Sequence, residues 1–377
     1  MKILGIDTSC DDTSASVVLD GGKILSNIVS SQTEIHKKYG GIVPELASRR
    51  HIELIWHVAD EALNKANITL DDLDAIAVCH GPGLIGSLLV GCNFAKAVAY
   101  ARKIPLIAVN HLEGHIFSAI LEDSKPSFPF ISLIASGGHT SLYVVNGLGQ
   151  YIELGKTRDD AAGEVYDKVA KMLGLGYPGG PVIDRLAKEG NPKAFDFPRA
   201  YVPESFDFSF SGLKTAVKIE IHKSEVRTRT PKSFGVRPST HEVSALGQKP
   251  DPPQPPLDKG GIEGGAFSEP RTPNPELIND IAASFQASVV DVLVRKAEWV
   301  IIKKGIRQVA LSGGVSANSE LRRRMKEMAE DREVELFLPS IALCTDNAAM
   351  IAAAGHHHFM SGRIAGIDLN PKAYLPL

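Results

Sequence analysis

The chain contains the same pattern twice: an apolar strand, a short polar turn and a second apolar strand. The first copy spans residues 3–18 with its turn at 8–14, and the second spans 130–145 with its turn at 136–140. Short apolar runs separated by small polar residues are typical of hairpin strands. We interpret the pair as a degenerate internal duplication. It predicts two lobes, each opened by a hairpin whose tip faces a shared cleft.

Length and composition are those of a globular protein. The chain has 377 residues, 44% of them apolar, which is enough for a sizeable core and about two domains. Its cysteines, Cys10, Cys79, Cys92 and Cys344, are scattered, which fits reduced thiols. No apolar signal region precedes Asp7, and no apolar run looks long enough to span a bilayer. We therefore expect a cytoplasmic protein that does not bind a membrane.

The overall charge does not favour nucleic acid. The formal net charge is -3, so the molecule as a whole does not attract a polyanion. RNA binding would have to use a local basic run, such as Arg49-Arg50-His51 or Arg322-Arg323-Arg324. The plainer interpretation of each run is a solvated helix face.

Two histidines, His111 and His115, follow a short apolar strand and lie four residues apart. Asn110 can cap a helix there, which places both imidazoles on one helical face as half of a metal site. Zinc peptidases share this spacing but have a glutamate directly after the first histidine as the base. Here Glu113 is two residues after His111 and points about 200° away from it. The spacing predicts a metal site and argues against peptidase chemistry.

Two histidines usually need a carboxylate to complete a metal site. Asp346 is a candidate, because it lies in the segment Thr345-Asp346-Asn347 before an alanine-rich helix. Its position also fits a helix cap, and capping is the commoner role. We expect the run His356-His357-His358, further along this helix, to be a solvated helix end.

Several turns are candidates for holding a ligand. His80-Gly81-Pro82-Gly83 and Ser312-Gly313-Gly314-Val315 each join a strand to a helix, where backbone N–H groups can bind an anion. The second is the better nucleotide candidate, since Asn318, three residues after it, can contact a sugar or base.

The rigid turn Tyr177-Pro178-Gly179-Gly180-Pro181 lets a ligand approach the backbone, or simply joins two helices. The acidic first hairpin tip can face a phosphate or hydrated metal, although an ordinary polar turn is plainer.

Residues 224–273 differ in kind from the rest of the chain. They hold nine of its 23 prolines and few large apolar residues, so they cannot bury a core. We expect a disordered insertion within the second lobe. The predicted organisation is a first lobe of residues 1–110 completed by 340–377, and a second lobe of 111–223 and 274–339.

The order of the motifs is more specific than any one of them. In chain order the motifs are Asp7-Thr8-Ser9, His80-Gly81-Pro82-Gly83, His111-Leu112-Glu113-Gly114-His115, Ser136-Gly137-Gly138-His139-Thr140, Tyr177-Pro178-Gly179-Gly180-Pro181, Phe208-Ser209-Phe210-Ser211-Gly212-Leu213-Lys214, Ser312-Gly313-Gly314-Val315 and Thr345-Asp346-Asn347. This set resembles the tRNA adenosine threonylcarbamoyltransferases, the TsaD family of bacteria, over nearly the whole chain except residues 224–273. The resemblance implies the α/β fold of actin, Hsp70 and sugar kinases (ASKHA), a duplicated two-lobe fold with a central cleft.

The resemblance also implies an activity. It is transfer of a threonylcarbamoyl group from threonylcarbamoyl-AMP to N6 of adenosine 37 in tRNAs that read codons beginning with A. The implied cofactor is one divalent metal ion, iron or less often zinc, and the implied partner proteins are TsaB and TsaE. The implied metal ligands are His111, His115 and Asp346, with Asp11 near the reacting group. The implied substrate contacts are Ile134, Ala135, Ser136, Gly137, Gly138, Asp167, Gly180, Asp184 and Asn318.

Three other classes fit parts of the sequence. A metalloprotease would use the histidine pair, but the position of Glu113 counts against it. A small-molecule kinase or ATPase of the same fold would need a catalytic carboxylate beside a small pocket, and no metal-binding histidines. A non-catalytic nucleotide-binding scaffold does not account for the many polar loop residues.

Overall fold

The computed structural model describes residues 1–200, 202, 204–229 and 274–377. The predicted insertion at 224–273 therefore lies outside the described residues, apart from the backbone of 224–229, which continues a helix. The predicted lobe boundaries remain a proposal, and the sheets and helices below are described individually.

The first sheet comes from the N-terminal part of the chain. Its strands are β1 (Lys2–Asp7), β2 (Asp12–Leu19), β3 (Lys23–Ser31), β4 (Ala75–Gly81) and β5 (Leu106–Asn110). They are ordered β3-β2-β1-β4-β5. β1 and β2 form the predicted hairpin, β3 extends it in antiparallel fashion, and β4 and β5 add in parallel on the other side.

The second sheet repeats this arrangement. Its strands are β6 (Phe130–Ala135), β7 (Thr140–Gly147), β8 (Gln150–Lys156), β9 (Gln308–Ser312) and β10 (Glu335–Phe337), ordered β10-β9-β6-β7-β8. Again a three-stranded antiparallel meander is extended by two parallel strands on the side of its first strand. This topology confirms the predicted duplication.

Helices cover both sheets. They are α1 (Thr33–Lys37), α2 (Pro44–Lys65), α3 (Ile85–Arg102), α4 (His111–Ile120), α5 (Ala162–Met172), α6 (Gly179–Ala187), α7 (Ser211–Arg229), α8 (Pro275–Lys304), α9 (Ser319–Asp331), α10 (Ile341–Cys344) and α11 (Ala348–Met360), with short 3-10 turns at Leu70–Asp72 and Gly314–Ala317. Asparagine side chains cap α4, α8, α9 and α11 by accepting a backbone N–H of the first turn. Three of these caps lie close to the predicted site, so the helix starts that carry its residues are locally encoded.

α11 returns from the end of the chain to pack against the first sheet and α4. The helix and the sheet approach closely because glycines lie at their contacts. A Cβ on Gly5 would lie 2.3 Å from the carbonyl oxygen of Ala348, and one on Gly355 would lie 2.4 Å from the Cβ of Ala77. This packing brings Asp346, just before α11, to the start of α4.

One described helix, α8, is long and apolar enough to cross a membrane by length and composition, contrary to the expectation that no run would be. However, 72% of its most apolar window is buried inside the protein. It packs against α6, α7 and α9. Burial in the core of the second lobe accounts for its apolar character.

Candidate metal centre and cleft

The three predicted metal ligands lie together at the start of α4. His111 Nε2 lies 3.5 Å and His115 Nε2 lies 3.3 Å from the same carboxylate oxygen of Asp346. The three candidate ligand atoms are all within 4.8 Å of one another. Two imidazoles and a carboxylate form a donor set that suits zinc and iron.

His115 gives an independent indication that a metal fits. Its side chain is 0% exposed, and Nε2, although 3.3 Å from Asp346, makes no well-directed hydrogen bond to a described residue. A buried polar atom left unpaired costs about 1–3 kcal/mol. A divalent cation held by His115, His111 and Asp346 would bind Nε2 of His115. The residues present therefore fit the metal ion that the sequence predicted.

The ionisable side chains at this centre shift the pKa values of one another. Burial opposes ionisation of Asp346, but His111 and His115 outweigh it and hold the pKa of the carboxyl well below its usual range. Burial likewise opposes protonation of His111, but Asp346 and Asp7 outweigh it and raise that pKa well above its usual range. Burial, with the nearby charge of His111, lowers the pKa of His115. An ionised carboxylate and a neutral imidazole are the forms in which these groups bind metals.

Asp7 supports His111 from the side opposite Asp346. It ends β1, is 1% exposed, and places its Oδ2 3.2 Å from His111 Nδ1. Its Oδ1 accepts the N–H of Ser9, whose hydroxyl lies 3.2 Å from the same ring nitrogen. A carboxylate at one ring nitrogen directs the other toward a metal. Sequence analysis missed this role, although a carboxylate ending a buried strand was an available signal.

A second group of potential ligands, Asp7, Cys79 and His111, adjoins the first. Burial raises the pKa of the Cys79 thiol to about 12, and Asp7 adds to the rise. The thiolate is the form that binds metals, so this side is better suited to orienting His111 than to holding a second ion.

Asn347, and not Asp346, caps α11. Its side-chain oxygen accepts the N–H of Met350 at 3.2 Å, and its amide donates to the carbonyl oxygens of Leu343 and Thr345. The capping interpretation of Asp346 is therefore wrong, because the next residue fulfils that role. The carboxylate of Asp346 can face the histidines.

Glu113 points away from the metal centre, as its helical position predicts. Its Oε1 accepts the hydroxyl of Tyr151 at 2.8 Å, and its Oε2 lies 2.8 Å from His358 Nε2. His358 Nδ1 lies 3.0 Å from the carbonyl oxygen of Ala108. Glu113 therefore links α4 to β8 and α11.

The expectation of a solvated helix end at residues 356–358 is wrong for His358, which is 8% exposed.

The turn after β6 faces the metal centre from the second sheet. Ile134 and Ala135 are buried strand residues, and the turn itself is formed by residues 136–138. Among the described residues, no atom lies within 4 Å of a Cβ built on either glycine of the turn. The ring of His139, which follows, lies 6.3 Å from that of His111 between centroids. The turn thus leaves room for a ligand beside the centre.

The remaining predicted contacts lie around α5, α6 and α9. Asp167 accepts the N–H of Gly179 at 2.7 Å. Gly180, the next residue, has open space where a Cβ would stand. Asp184 accepts the N–H and the hydroxyl of Ser319 at 3.3 and 2.9 Å. These contacts join the start of α6 to the start of α9.

Both the oxygen and the nitrogen of the Asn318 side-chain amide already make hydrogen bonds. Its oxygen caps α9 by accepting the N–H of Leu321 at 2.9 Å, and its nitrogen donates to Gln286 at 2.8 Å. Contact between this side chain and a sugar or base therefore requires one of these bonds to be exchanged.

Asp11, at the first hairpin tip, meets the rigid turn before α6. The Tyr177 hydroxyl donates to Asp11 Oδ2 at 3.2 Å. Burial and the charge of Asp346 raise the pKa of Asp11. Burial, together with the charges of Asp11 and Asp346, raises the pKa of Asp12 to about 7. The tip is thus acidic and close to the metal centre. Sequence analysis treated Tyr177 as part of a rigid turn and missed its polar contact.

The loop His80-Gly81-Pro82-Gly83 is not an anion site. A Cβ on Gly81 would lie 2.2 Å from the carbonyl oxygen of Lys372, and one on Gly83 would lie 2.4 Å from that of Ser9. The N–H of Leu84 donates to Ser9, and that of Gly83 to the carbonyl of Ala373. The expectation of an anion site at this loop is wrong, because its glycines let the C-terminal segment and the hairpin turn pack closely.

The two matching sheets and the cleft define a protein of the actin, Hsp70 and sugar-kinase (ASKHA) class, here with a candidate metal centre. Among solved structures, full-length HypF in its phosphate- and nucleotide-bound form has the same fold. Its TM-score is 0.56 at 15% identity, over 97% of this chain and 56% of that one.

Within this class, the chain belongs to the TsaD family, the tRNA N6-adenosine threonylcarbamoyltransferases, whose family profile matches residues 23–353. The enzyme of that name from Thermodesulfovibrio yellowstonii is 55% identical over the full length of both chains. The one from Caldicellulosiruptor saccharolyticus is 44% identical over 100% of this chain and 98% of its own. The protein is therefore a transferase that modifies tRNA.

Proposed function

We propose that the protein transfers the threonylcarbamoyl group of threonylcarbamoyl-AMP to N6 of adenosine 37 in tRNAs that read codons beginning with A. The observation that carries this proposal is the position of the metal group His111, His115 and Asp346, opposite the open turn at residues 136–138. We further propose that the enzyme works in the cytoplasm, where its thiols stay reduced.

The reaction makes and breaks one bond at the carbamoyl carbon. The N6 nitrogen bonds to this carbon, the bond from the carbon to the phosphate oxygen breaks, AMP leaves, and N6 loses a proton. AMP is a good leaving group, whereas the adenine amine is a poor nucleophile. The enzyme must therefore mainly align the two substrates and polarise the carbonyl.

A divalent ion held by His111, His115 and Asp346 would supply a Lewis acid for a carbonyl or phosphate oxygen. We propose iron first and zinc second, since imidazole and carboxylate ligands suit both. The chain's own groups provide the rest. The backbone N–H groups of Gly137 and Gly138 would face the donor, since that of Ser136 donates to His139. On the adenylate side, the contacts would be Asp167, Gly180, Asp184 and Asn318.

Asp11 is our candidate to orient the donor or to assist removal of the N6 proton. Burial and Asp346 raise its pKa, and a carboxylate with a raised pKa accepts a proton more readily. The Tyr177 hydroxyl fixes one of its oxygens.

The proposal includes TsaB and TsaE as partner proteins. The outer side of α2 and α3 exposes Ile52 (66%), Trp56 (49%), Ile85 (48%) and Leu89 (42%). Trp56 also lies 6.5 Å from the ring of Phe94 between centroids, which joins the two helices. Exposed apolar patches commonly mark protein interfaces. This one supports docking of a partner, for which TsaB is our candidate.

Replacement of the ligands tests the role of the metal centre. With preformed threonylcarbamoyl-AMP and tRNA, we expect His111→Ala and His115→Ala to lose both bound metal and transfer. His356→Ala, on α11 and outside the metal group, should retain both. Full transfer by His111→Ala would overturn the proposed role of the metal centre.

A further inference from the structure

The turn between α1 and α2 presents an exposed aromatic ring. Tyr39 is 56% exposed, although the turn that carries it is well fixed. The N–H groups of Tyr39 and Gly41 donate to the carbonyl oxygen of His36 at 2.9 and 3.4 Å. His36 is fully buried, and its Nδ1 accepts the N–H of Val43 at 3.3 Å. The ring is thus held out to solvent by a turn that does not need it for packing.

This turn contacts α5. The Tyr39 carbonyl oxygen accepts a hydrogen bond from Lys171 of α5 at 3.4 Å. A Cβ on Gly40 would be 3.4 Å from the Cε of that lysine. α5 also carries Asp167, one of the proposed substrate contacts. The turn therefore contacts the helix that bears a proposed substrate contact.

Three lysines lie near Tyr39, two beside it in sequence and one in contact with its backbone carbonyl. Lys37, Lys38 and Lys171 are all exposed. Lys37 lies 3.8 Å from Glu34, so part of its charge is compensated. Lys38 has no ion-pair partner within the part of the chain that the structure describes, and Lys171 donates to a backbone carbonyl. Among the described residues, neither Lys38 nor Lys171 has a carboxylate partner, so both charges can attract an anion beside Tyr39.

Most arginines of the basic runs singled out from the sequence have partners within the protein, although Arg49 is exposed and has no ion-pair partner among the described residues. Arg323 pairs with Glu320 and Glu327, and Arg324 pairs with Asp291. In the same run, Arg322 donates to the carbonyl oxygens of residues 316 and 339. In the other run, His51 is buried and Arg50 pairs with its own helix. Carboxylates therefore compensate the charges of Arg50, Arg323 and Arg324.

We propose that Tyr39, with Lys38 and Lys171, binds the single-stranded anticodon loop of the tRNA, and that its ring stacks on an unpaired base beside the target adenosine. Tyrosine rings stack on unpaired bases, and lysines contact the adjoining phosphates. In this arrangement the uncharged adenine enters the cleft, while the RNA phosphates stay at the lysines. The inference rests on the proposed function, since it requires the adenosine to enter this cleft.

The test uses the full-length protein and an anticodon stem-loop RNA with 2-aminopurine beside the target adenosine. Stacking on an aromatic ring quenches this fluorophore. We expect quenching by the wild type and by Tyr39→Phe, which keeps the ring. Tyr39→Ala should lose the quenching and bind the RNA about tenfold more weakly. Tyr100→Ala, which removes a tyrosine that is 76% exposed on α3, should match the wild type.

Two further measurements separate the outcomes. The midpoint of thermal unfolding of Tyr39→Ala should match that of the wild type, because the ring is largely exposed, and Lys38→Ala should lower the salt dependence of RNA binding. Equal affinity and equal quenching in wild type and Tyr39→Ala, while the wild type still modifies tRNA, would overturn the stacking role alone. Loss of partner-protein binding with unchanged RNA affinity would also overturn it. Absence of tRNA modification by the wild type would overturn the proposed function itself.

Discussion

Asp7 determines which nitrogen of His111 faces the metal centre. The carboxylate lies 3.2 Å from Nδ1, while Nε2 faces Asp346. Both contacts join segments that are far apart in sequence, and neither carboxylate belongs to the histidine motif. At the scale of single residues, the site is therefore assembled by side chains that hold the ligands as much as by the ligands themselves.

Removal of the charge on Asp7 should loosen the metal without removing a ligand. We expect Asp7→Asn to weaken metal affinity by about 10- to 100-fold, because the carboxylate that orients His111 is lost. Competition with a chelator of known affinity measures this. Asp123→Asn, an exposed control, should leave the affinity unchanged. Wild-type affinity in Asp7→Asn would contradict the orienting role.

Asp167 should make stability depend on pH. Burial, with smaller effects of Asp11 and Glu164, raises its pKa to about 6, above the unfolded value of 3.8. Its proton therefore stabilises the native state below pH 4, and this stabilisation is lost as pH rises to about 6.

The amide in Asp167→Asn carries no charge and can still accept the N–H of Gly179. We expect this variant to be about 1–2 kcal/mol more stable than the wild type at pH 8, after allowance for partial exposure. The difference should vanish below about pH 4. Denaturant unfolding across this range measures it. A gain that is the same at all pH values would contradict the titration of Asp167.

At the scale of elements, local sequence predicts much of the framework. Asn110 begins α4 as expected, because an asparagine cap acts within one helical turn. The errors concern contacts with elements distant in sequence. His358 is buried because α11 packs on β5 and α4, and the loop at residues 80–83 is covered by the C-terminal segment. No local sequence pattern predicts these contacts between distant elements.

The packing of α11 couples stability to the metal centre. A Cβ on Gly355 would lie 2.4 Å from that of Ala77, so Gly355→Ala should push α11 from the sheet and cost about 1–3 kcal/mol. Since Asp346 directly precedes this helix, metal affinity should fall as well. Gly22→Ala, whose nearest atom is 3.9 Å away at a lysine tip, is the control. Denaturant unfolding and metal titration together check both effects. A fully stable Gly355→Ala would contradict this account of the packing.

At the scale of the whole molecule, the duplication places two turns of different chemistry on opposite sides of one cleft. The first hairpin tip is acidic and bears Asp11, whereas the second is the open turn at 136–138. The sequence predicted this arrangement because each hairpin is local and its pattern repeats. It could not show which basic residues have carboxylate partners, because ion pairs such as that between Arg324 and Asp291 join residues far apart in sequence.

Reconstituted tRNA modification tests the central claim most directly. The full-length protein is combined with tRNA, threonine, bicarbonate, ATP, the synthase that makes threonylcarbamoyl-AMP, TsaB and TsaE, and the tRNA nucleosides are analysed by mass. We expect threonylcarbamoyladenosine with the wild-type protein and none with His111→Ala. Unmodified tRNA in the presence of confirmed threonylcarbamoyl-AMP, or phosphoryl transfer from ATP to a small metabolite instead, would contradict the account.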